Sequence, residues 1–205
     1  MLAIVDYGVG NLFSLTCSLR FIGAEVAVTG DEAVLAAADR IILPGVGAFG
    51  DAADALRRSG LDRAVLREAE AGKPLLGICL GMQLLFEYST EFGLHNGLGL
   101  IPGSVRPIRP VIPEDYKVPH IGWNALHFPA DKPVSPLFRN IHEGDCVYFV
   151  HSFYGADCAE NTIATAEYGP ELTAAVSRNN VYGVQFHPEK SGTVGLDILR
   201  AFCEL

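Results

Sequence analysis

Three residues of this chain have the types and the setting for nucleophilic chemistry: Cys79, His187 and Glu189. Cys79 lies between Gly77 and Gly81, where the apolar run Leu75 to Ile78 ends and a helical pattern reaching Phe86 begins. Strand, sharp turn and helix in that order are the layout of a nucleophile elbow, with small residues on both sides of the turn. Such a turn lifts the thiol to the carboxyl edge of a sheet. The helix start behind it offers unpaired N–H groups and a positive dipole end, which favour the reactive thiolate and could also hold an oxyanion. A cysteine at a strand end is often no more than a small buried hydrophobe, so the elbow alone leaves both readings open. The segment Val184-Gln-Phe-His187-Pro-Glu189 separates them. A strand from Val181 to Phe186 delivers His187 at its end, with Glu189 two residues on. A cysteine nucleophile needs a base, and the base needs a third group to fix its tautomer. Jointly the three residues read as catalytic.

To hold these residues in one place the chain must alternate strands and helices. Leu2 to Val5, Glu25 to Thr29, Asp39 to Pro44 and Leu75 to Ile78 read as strands, and Leu12 to Ile22, Asp51 to Arg58 and Leu61 to Gly72 as helices. Asp31 caps a further short helix. This order implies an α/β fold, with a mostly parallel central sheet and helices on both faces. From about Leu98 to Pro136 prolines and short runs suggest hairpins and loops. Tyr148 to Ser152, Thr162 to Glu167, Ala174 to Arg178 and Tyr182 to Phe186 are expected strands, and Gly192 to Leu205 a closing helix. No repeat or linker interrupts the chain, so residues 1–205 are expected to form a single domain.

Composition narrows the function. Nearly half of the 205 residues are hydrophobic and the formal net charge is -9, which argues against a nucleic-acid partner. No apolar run approaches the ~20 residues that span a bilayer, and the start lacks the basic region of a signal peptide. The five cysteines show no Cys-x-x-Cys spacing, so neither a metal site nor a disulfide framework is expected, and a reducing cytoplasm is the simplest setting. Nothing calls for a cofactor. Gly45-Val-Gly47-Ala-Phe-Gly50 formally matches a dinucleotide fingerprint. It follows the third strand rather than the first, after Pro44, and is set aside.

Gly77-Ile-Cys79-Leu-Gly-Met-Gln83 together with His187-Pro-Glu189 resembles the class I, or triad, glutamine amidotransferases, a flavodoxin-like fold. Val5-Asp6-Tyr7-Gly8-Val-Gly10-Asn11, Leu43-Pro44-Gly45-Val46-Gly47 and Lys117-Val-Pro-His120-Ile-Gly-Trp123-Asn124 are similar to one branch, the glutaminase subunits of imidazole glycerol phosphate synthase. The resemblance covers essentially the whole chain. It implies hydrolysis of glutamine through a Cys79 thioester, with ammonia passed to a (β/α)8-barrel cyclase in a heterodimer. Pro44 to Gly47 would be an oxyanion strand, in which Gly45 and Gly47 permit a peptide flip and the N–H groups of Val46 and Leu80 hold the tetrahedral intermediate. Gln83, Glu91, His151, Ser152 and Phe153 map onto the glutamine pocket, with Phe153 where the family commonly has tyrosine. Asn11, His120, Trp123 and Asn124 map onto the partner face or ammonia path. His95, His127 and His142 receive no role. Within the same chemistry the partner could instead be a pyridoxal phosphate, anthranilate or GMP synthase. Outside it, the alternatives are a stand-alone cysteine hydrolase or an inactive module of the same fold.

Overall fold

All of Leu2–Val5 is buried, so this first strand must be covered on both faces. The computed structural model describes residues 1–205 and shows how. The first half of the chain runs β1 (Leu2–Val5), α1 (Leu12–Phe21), β2 (Val26–Thr29), α2 (Glu32–Ala37), β3 (Arg40–Leu43), α3 (Phe49–Arg58), α4 (Leu61–Glu70), β4 (Leu75–Ile78) and α5 (Leu80–Leu84). Asp31 caps α2 as its sequence predicts, accepting from the Ala33 N–H at 2.8 Å. Then follow β5 (Phe86–Ser89), β6 (His95–Asn96), β7 (Ile101–Pro107), β8 (His120–Ala125), β9 (Cys146–His151), β10 (Phe153–Ala156), β11 (Thr162–Glu167), β12 (Glu171–Arg178), β13 (Val181–Val184) and the closing α6 (Gly192–Cys203).

The central sheet has the order β11-β12-β13-β4-β3-β1-β2. From β13 to β2 every pair is parallel, and β12 and β11 extend the sheet antiparallel. Strand alternation divides the core in two. Ala3, Val5, Ile41, Leu43 and Leu75 face one layer, with Phe49 and Leu56 of α3 and Val65 of α4. Leu2, Ile4, Ile42, Leu76 and Ile78 face the other, with Leu15 and Leu19 of α1 and Ile198, Leu199 and Phe202 of α6. Burial on this scale supplies most of the driving force for the fold, at ~25 cal/mol per Å² of apolar surface. A parallel sheet puts the loops after β1, β3 and β4 at one edge, and that edge carries the site.

Three expectations needed correction. The helical pattern after Cys79 stops at Leu84, because a different segment claims its carbonyls. Leu98, Ile101, Gly99 and Gly97 donate to the oxygens of Leu84, Leu85, Phe86 and Glu87 at 2.8–3.0 Å, where a longer helix would have used its own N–H groups. The chain enters a second sheet instead, of order β10-β7-β5-β6. The stretch from Leu98 to Pro136 is likewise not a set of local hairpins. β7 pairs with β5 and β10, and β8 pairs with β9 from His120↔His151 to Ala125↔Cys146. The strand expected to reach Phe186 ends at Val184. Beyond it the Gln185 N–H makes one last bond to β12, at the Ala174 carbonyl, and the His187 N–H leaves the sheet for the Tyr148 carbonyl of β9 at 2.9 Å.

Candidate active site

Cys79 sits on the turn between β4 and α5 with φ 55° and ψ -112°, a region non-glycine residues seldom occupy. Close packing enforces that turn. A Cβ on Gly81 would stand 1.9 Å from the Leu43 oxygen, so only glycine lets α5 approach β3 this closely. The Cys79 N–H donates to the Val184 carbonyl at 2.8 Å, which ties the elbow to the strand that leads to His187. Release of that strand from the sheet carries His187 and Glu189 beneath β9. Nδ1 of His187 lies 2.8 Å from Oε1 of Glu189, and both side chains are 3% exposed. Nε2 is left for the thiol. Burial opposes charge on His187, yet the neighbouring Cys79 and the bond to Glu189 outweigh that cost and raise its pKa to about 9.

A cavity of about 340 Å³ at this edge brings together Val46, Gly47, Cys79, Leu80, Gln83, Glu91, His151, Ser152, Phe153 and His187. Pro119, Val150 and Lys190 also line it, and were not foreseen. Lys190 directly follows the His-Pro-Glu motif, so position alone could have flagged it. A larger opening of about 990 Å³, around Lys132 and Asp157, contains none of the candidate residues.

The pocket residues are tied into one network. Phe153 contributes its carbonyl, which accepts from Gln83 Nε2 at 3.1 Å and from His151 Nδ1 at 2.8 Å. The missing tyrosine hydroxyl therefore has no part in this contact. His151 spends both ring nitrogens inside the protein, since Nε2 lies 3.0 Å from Nδ1 of His120. Burial pushes the pKa of His151 down to about 3, so the ring is neutral and orients Phe153. Gln83 also donates to Gln185 Oε1 at 3.0 Å, and Gln185 Nε2 lies 3.8 Å from Cys79 Sγ. Gln185 was not anticipated. Glu91 is spoken for as well, because its Oε2 accepts from the Phe49 N–H at 2.7 Å and serves as the cap that Ala48 cannot provide for α3.

Two placements bear on the expected roles. The Leu80 N–H, which the family likeness assigns to an oxyanion, here donates to the Gly45 carbonyl at 3.3 Å. A trans peptide sets its N–H opposite its oxygen, so the Val46 N–H points away from Cys79. The hole is closed by peptide orientation. A Cβ on Gly45 would meet Gly81 N at 2.8 Å and the Tyr7 hydroxyl at 3.0 Å, and Gly47 has φ +98°. Second, His120 does not face outward. It is buried, with its ring stacked 3.9 Å from Tyr168 and 5.1 Å from Phe149. Along β8, Ile121 and Trp123 point to solvent at 58% and 55% exposure. His120, an odd number of positions from Trp123, must point inward. Asn124 Oδ1 lies 2.8 Å from His120 Nε2, and its Nδ2 donates to the Glu167 carbonyl. Asn11 opens α1 at the site edge, beside Gly10, whose Cβ would press on Pro44 at 3.2 Å.

A doubly wound sheet with a strained cysteine elbow and a buried His–Glu pair at its carboxyl edge defines a class. Residues 3–204 match the family model Glutamine amidotransferase class-I, and the chain belongs to that family. Solved structures agree on the fold. PurLQS from Thermotoga maritima superposes with a TM-score of 0.76 at 21% identity, covering 99% of this chain and 97% of that one. A structure described as glutamine amidotransferase gives 0.75 at 19% identity, covering 98% and 97%. The sequence relatives are more particular. Imidazole glycerol phosphate synthase subunit HisH of Wolinella succinogenes is 48% identical over 207 residues, with both chains covered in full. HisH of Bacillus cereus is 46% identical over 203 residues, covering 98% of this chain and 93% of the relative. Within the class I amidotransferases, then, the chain falls in the HisH group.

Proposed function

We propose that residues 1–205 form a single glutaminase domain. It hydrolyses glutamine to glutamate and ammonia and passes the ammonia to a (β/α)8-barrel cyclase subunit, with which it forms imidazole glycerol phosphate synthase in histidine biosynthesis. The observation that carries this reading is the Cys79–His187–Glu189 constellation in a chain 46–48% identical to HisH proteins from end to end.

Cys79 thiolate attacks the side-chain carbonyl carbon of glutamine. The developing oxyanion needs the Val46 and Leu80 N–H groups, which the Gly45–Val46 peptide must flip to supply. His187, already carrying a proton from the thiol, gives it from Nε2 to the departing amine, and ammonia leaves a γ-glutamyl thioester. His187 then takes a proton from water, hydroxide adds to the thioester, and the sulfur leaves as glutamate forms. Glu189 holds the imidazole in its tautomer and steadies its cation. By the family likeness Gln83 and Glu91 would hold the amide and amino groups of the substrate, using the side-chain oxygens that Phe153, Gln185 and Phe49 leave free. The exposed Ile121 and Trp123 of β8, together with Asn11, offer a partner surface beside the same edge. No helix is long and apolar enough to cross a membrane, and all five cysteines are free, which suits work in the cytoplasm.

Glutamate release and imidazole glycerol phosphate formation, each measured with and without a barrel cyclase, test this reading. Ammonia transfer requires one product of each kind per turnover when glutamine is the only nitrogen source. Glutamate release with no cyclase product would refute the assignment of the partner. No release under either condition would refute the glutaminase.

A further inference from the structure

We propose that Gln185 is a further catalytic residue, whose side-chain N–H donates a hydrogen bond to the Cys79 sulfur and stabilises it as the thiolate nucleophile. The inference rests on Cys79 being the nucleophile of the proposed glutaminase.

A carboxamide has one accepting end and one donating end, and which of them faces the sulfur follows from the network. The Phe153 carbonyl can only accept, so Gln83 must present its NH2 there, at 3.1 Å. The same nitrogen lies 3.0 Å from the Gln185 carboxamide, which must therefore turn its oxygen to Gln83. Its NH2 is left directed at Cys79 Sγ, 3.8 Å away and within reach of the larger sulfur atom. The carbonyl that starts this sequence is itself held by His151, whose other ring nitrogen is braced by His120. Gln185 is completely buried, so no water competes for the contact. A buried glutamine costs stability unless both ends are used, and here one end serves Gln83 and the other only the sulfur. The titratable groups that face the sulfur are His187 and Tyr7, while Glu189 and His151 act on His187. Only Gln185 and His187 bring a side-chain donor to it.

Alkylation of Cys79 by iodoacetamide reads this directly and needs no glutamine. The full-length chain and its Gln185→Leu and Gln185→Glu variants would be alkylated across a pH series, with the modified cysteine located by peptide mass spectrometry. Loss of the N–H donor in Gln185→Leu should slow Cys79 modification at pH 7 about tenfold, the factor expected of a hydrogen bond to a charged group. It should also move the midpoint of the pH profile upward. Gln185→Glu, nearly isosteric, should move it further, because a carboxylate repels the thiolate. Gln83→Leu should move it less, since it frees the Gln185 amide to turn but removes no donor. An unchanged midpoint in folded Gln185→Leu would overturn the proposal. Should that variant fail to fold by circular dichroism, an unchanged midpoint in Gln185→Glu would do so. A shifted midpoint in a chain that releases no glutamate would uphold the inference about Gln185 while the glutaminase reading fails.

Discussion

Two halves of one site stand in different states. The His187–Glu189 arm is assembled, with its ion pair buried and closed at 2.8 Å and the thiol within its reach. The Pro44–Gly47 arm is not, because the Leu80 N–H is occupied by the Gly45 oxygen. The difference follows from what holds each arm. His187 and Glu189 are fixed by side-chain partners and by the Ser191 hydroxyl, which donates to the His187 carbonyl at 2.6 Å. The oxyanion arm depends on the orientation of a single peptide beside two glycines, and such a peptide turns at small steric cost. On the proposed roles, the protein keeps its proton-transfer machinery ready and withholds the oxyanion donors. A device that favours the flipped peptide gates the reaction without touching the triad.

The largest effect belongs to the assembled arm. Cys79→Ala should lower partner-stimulated glutaminase activity by at least about a thousandfold, and His187→Ala by a similar factor, since residues acting as a unit fail together. With ammonia supplied at high pH, both variants should still support the cyclase reaction. Activity within about tenfold of the parent, or ~1.4 kcal/mol of barrier, would remove Cys79 from its role. The gated arm should show the next largest effect. Without partner the chain should turn glutamine over about a hundred- to a thousandfold more slowly than with it, the usual cost of a missing oxyanion donor. Gly45→Ala should raise the unstimulated rate and so shrink that stimulation while leaving Cys79 alkylation intact, because its Cβ would crowd Gly81 and Tyr7 in the closed strand. Full stimulation of folded Gly45→Ala would place the gate elsewhere.

A smaller effect separates base from orienter. Glu189→Gln should reduce glutaminase activity by less than His187→Ala does, because the carboxylate moves no proton. It should also lower the pKa of His187, readable from the titration of its ring proton by NMR. In the parent, folded His187 keeps its proton to about pH 9, whereas an unfolded imidazole loses it near 6.5. The stability that Cys79 and Glu189 together lend the His187 cation is therefore present in full below about pH 6.5 and is lost as the pH rises through about 9. In Glu189→Gln that loss should begin at lower pH. A titration midpoint equal to the parent's would show that Glu189 contributes nothing to the cation.

What the sequence could disclose divides along the same line. The elbow and the His-Pro-Glu motif are local, so residue type and spacing point to them directly. The strand–helix order of the first half is legible for the same reason. Gln185 was not, because its partners lie 102 and 106 residues away and a lone buried amide has no periodic signature. The length of α5 depends on Gly97 to Ile101 claiming its carbonyls, which no helix propensity encodes. Of the residues expected at the partner face or ammonia path, strand alternation sets His120 inward and Trp123 outward, a division that the two-residue period of β8 makes legible. The direction of the Gly45–Val46 peptide has no side chain to announce it.

The smallest expected effect tests how firmly the closed peptide is held. The Tyr7 hydroxyl, buried beneath the oxyanion strand, donates to the Pro44 carbonyl at 2.8 Å. Burial and the neighbouring Cys79 push its pKa well up, so it remains a donor across the working range. The bond fixes the peptide just before the one that must turn, and in the closed state it sets Gly45 O against Leu80. A buried neutral hydrogen bond contributes about 1 kcal/mol, roughly a fivefold change in an equilibrium. Tyr7→Phe should therefore raise basal glutamine turnover about fivefold without partner, while the stimulated rate and the KM for glutamine stay as they were. A parallel fall in both rates would mean that Tyr7 supports the fold in open and closed states alike. An unchanged basal rate in a stable Tyr7→Phe chain would mean that the Leu80–Gly45 contact holds the gate unaided.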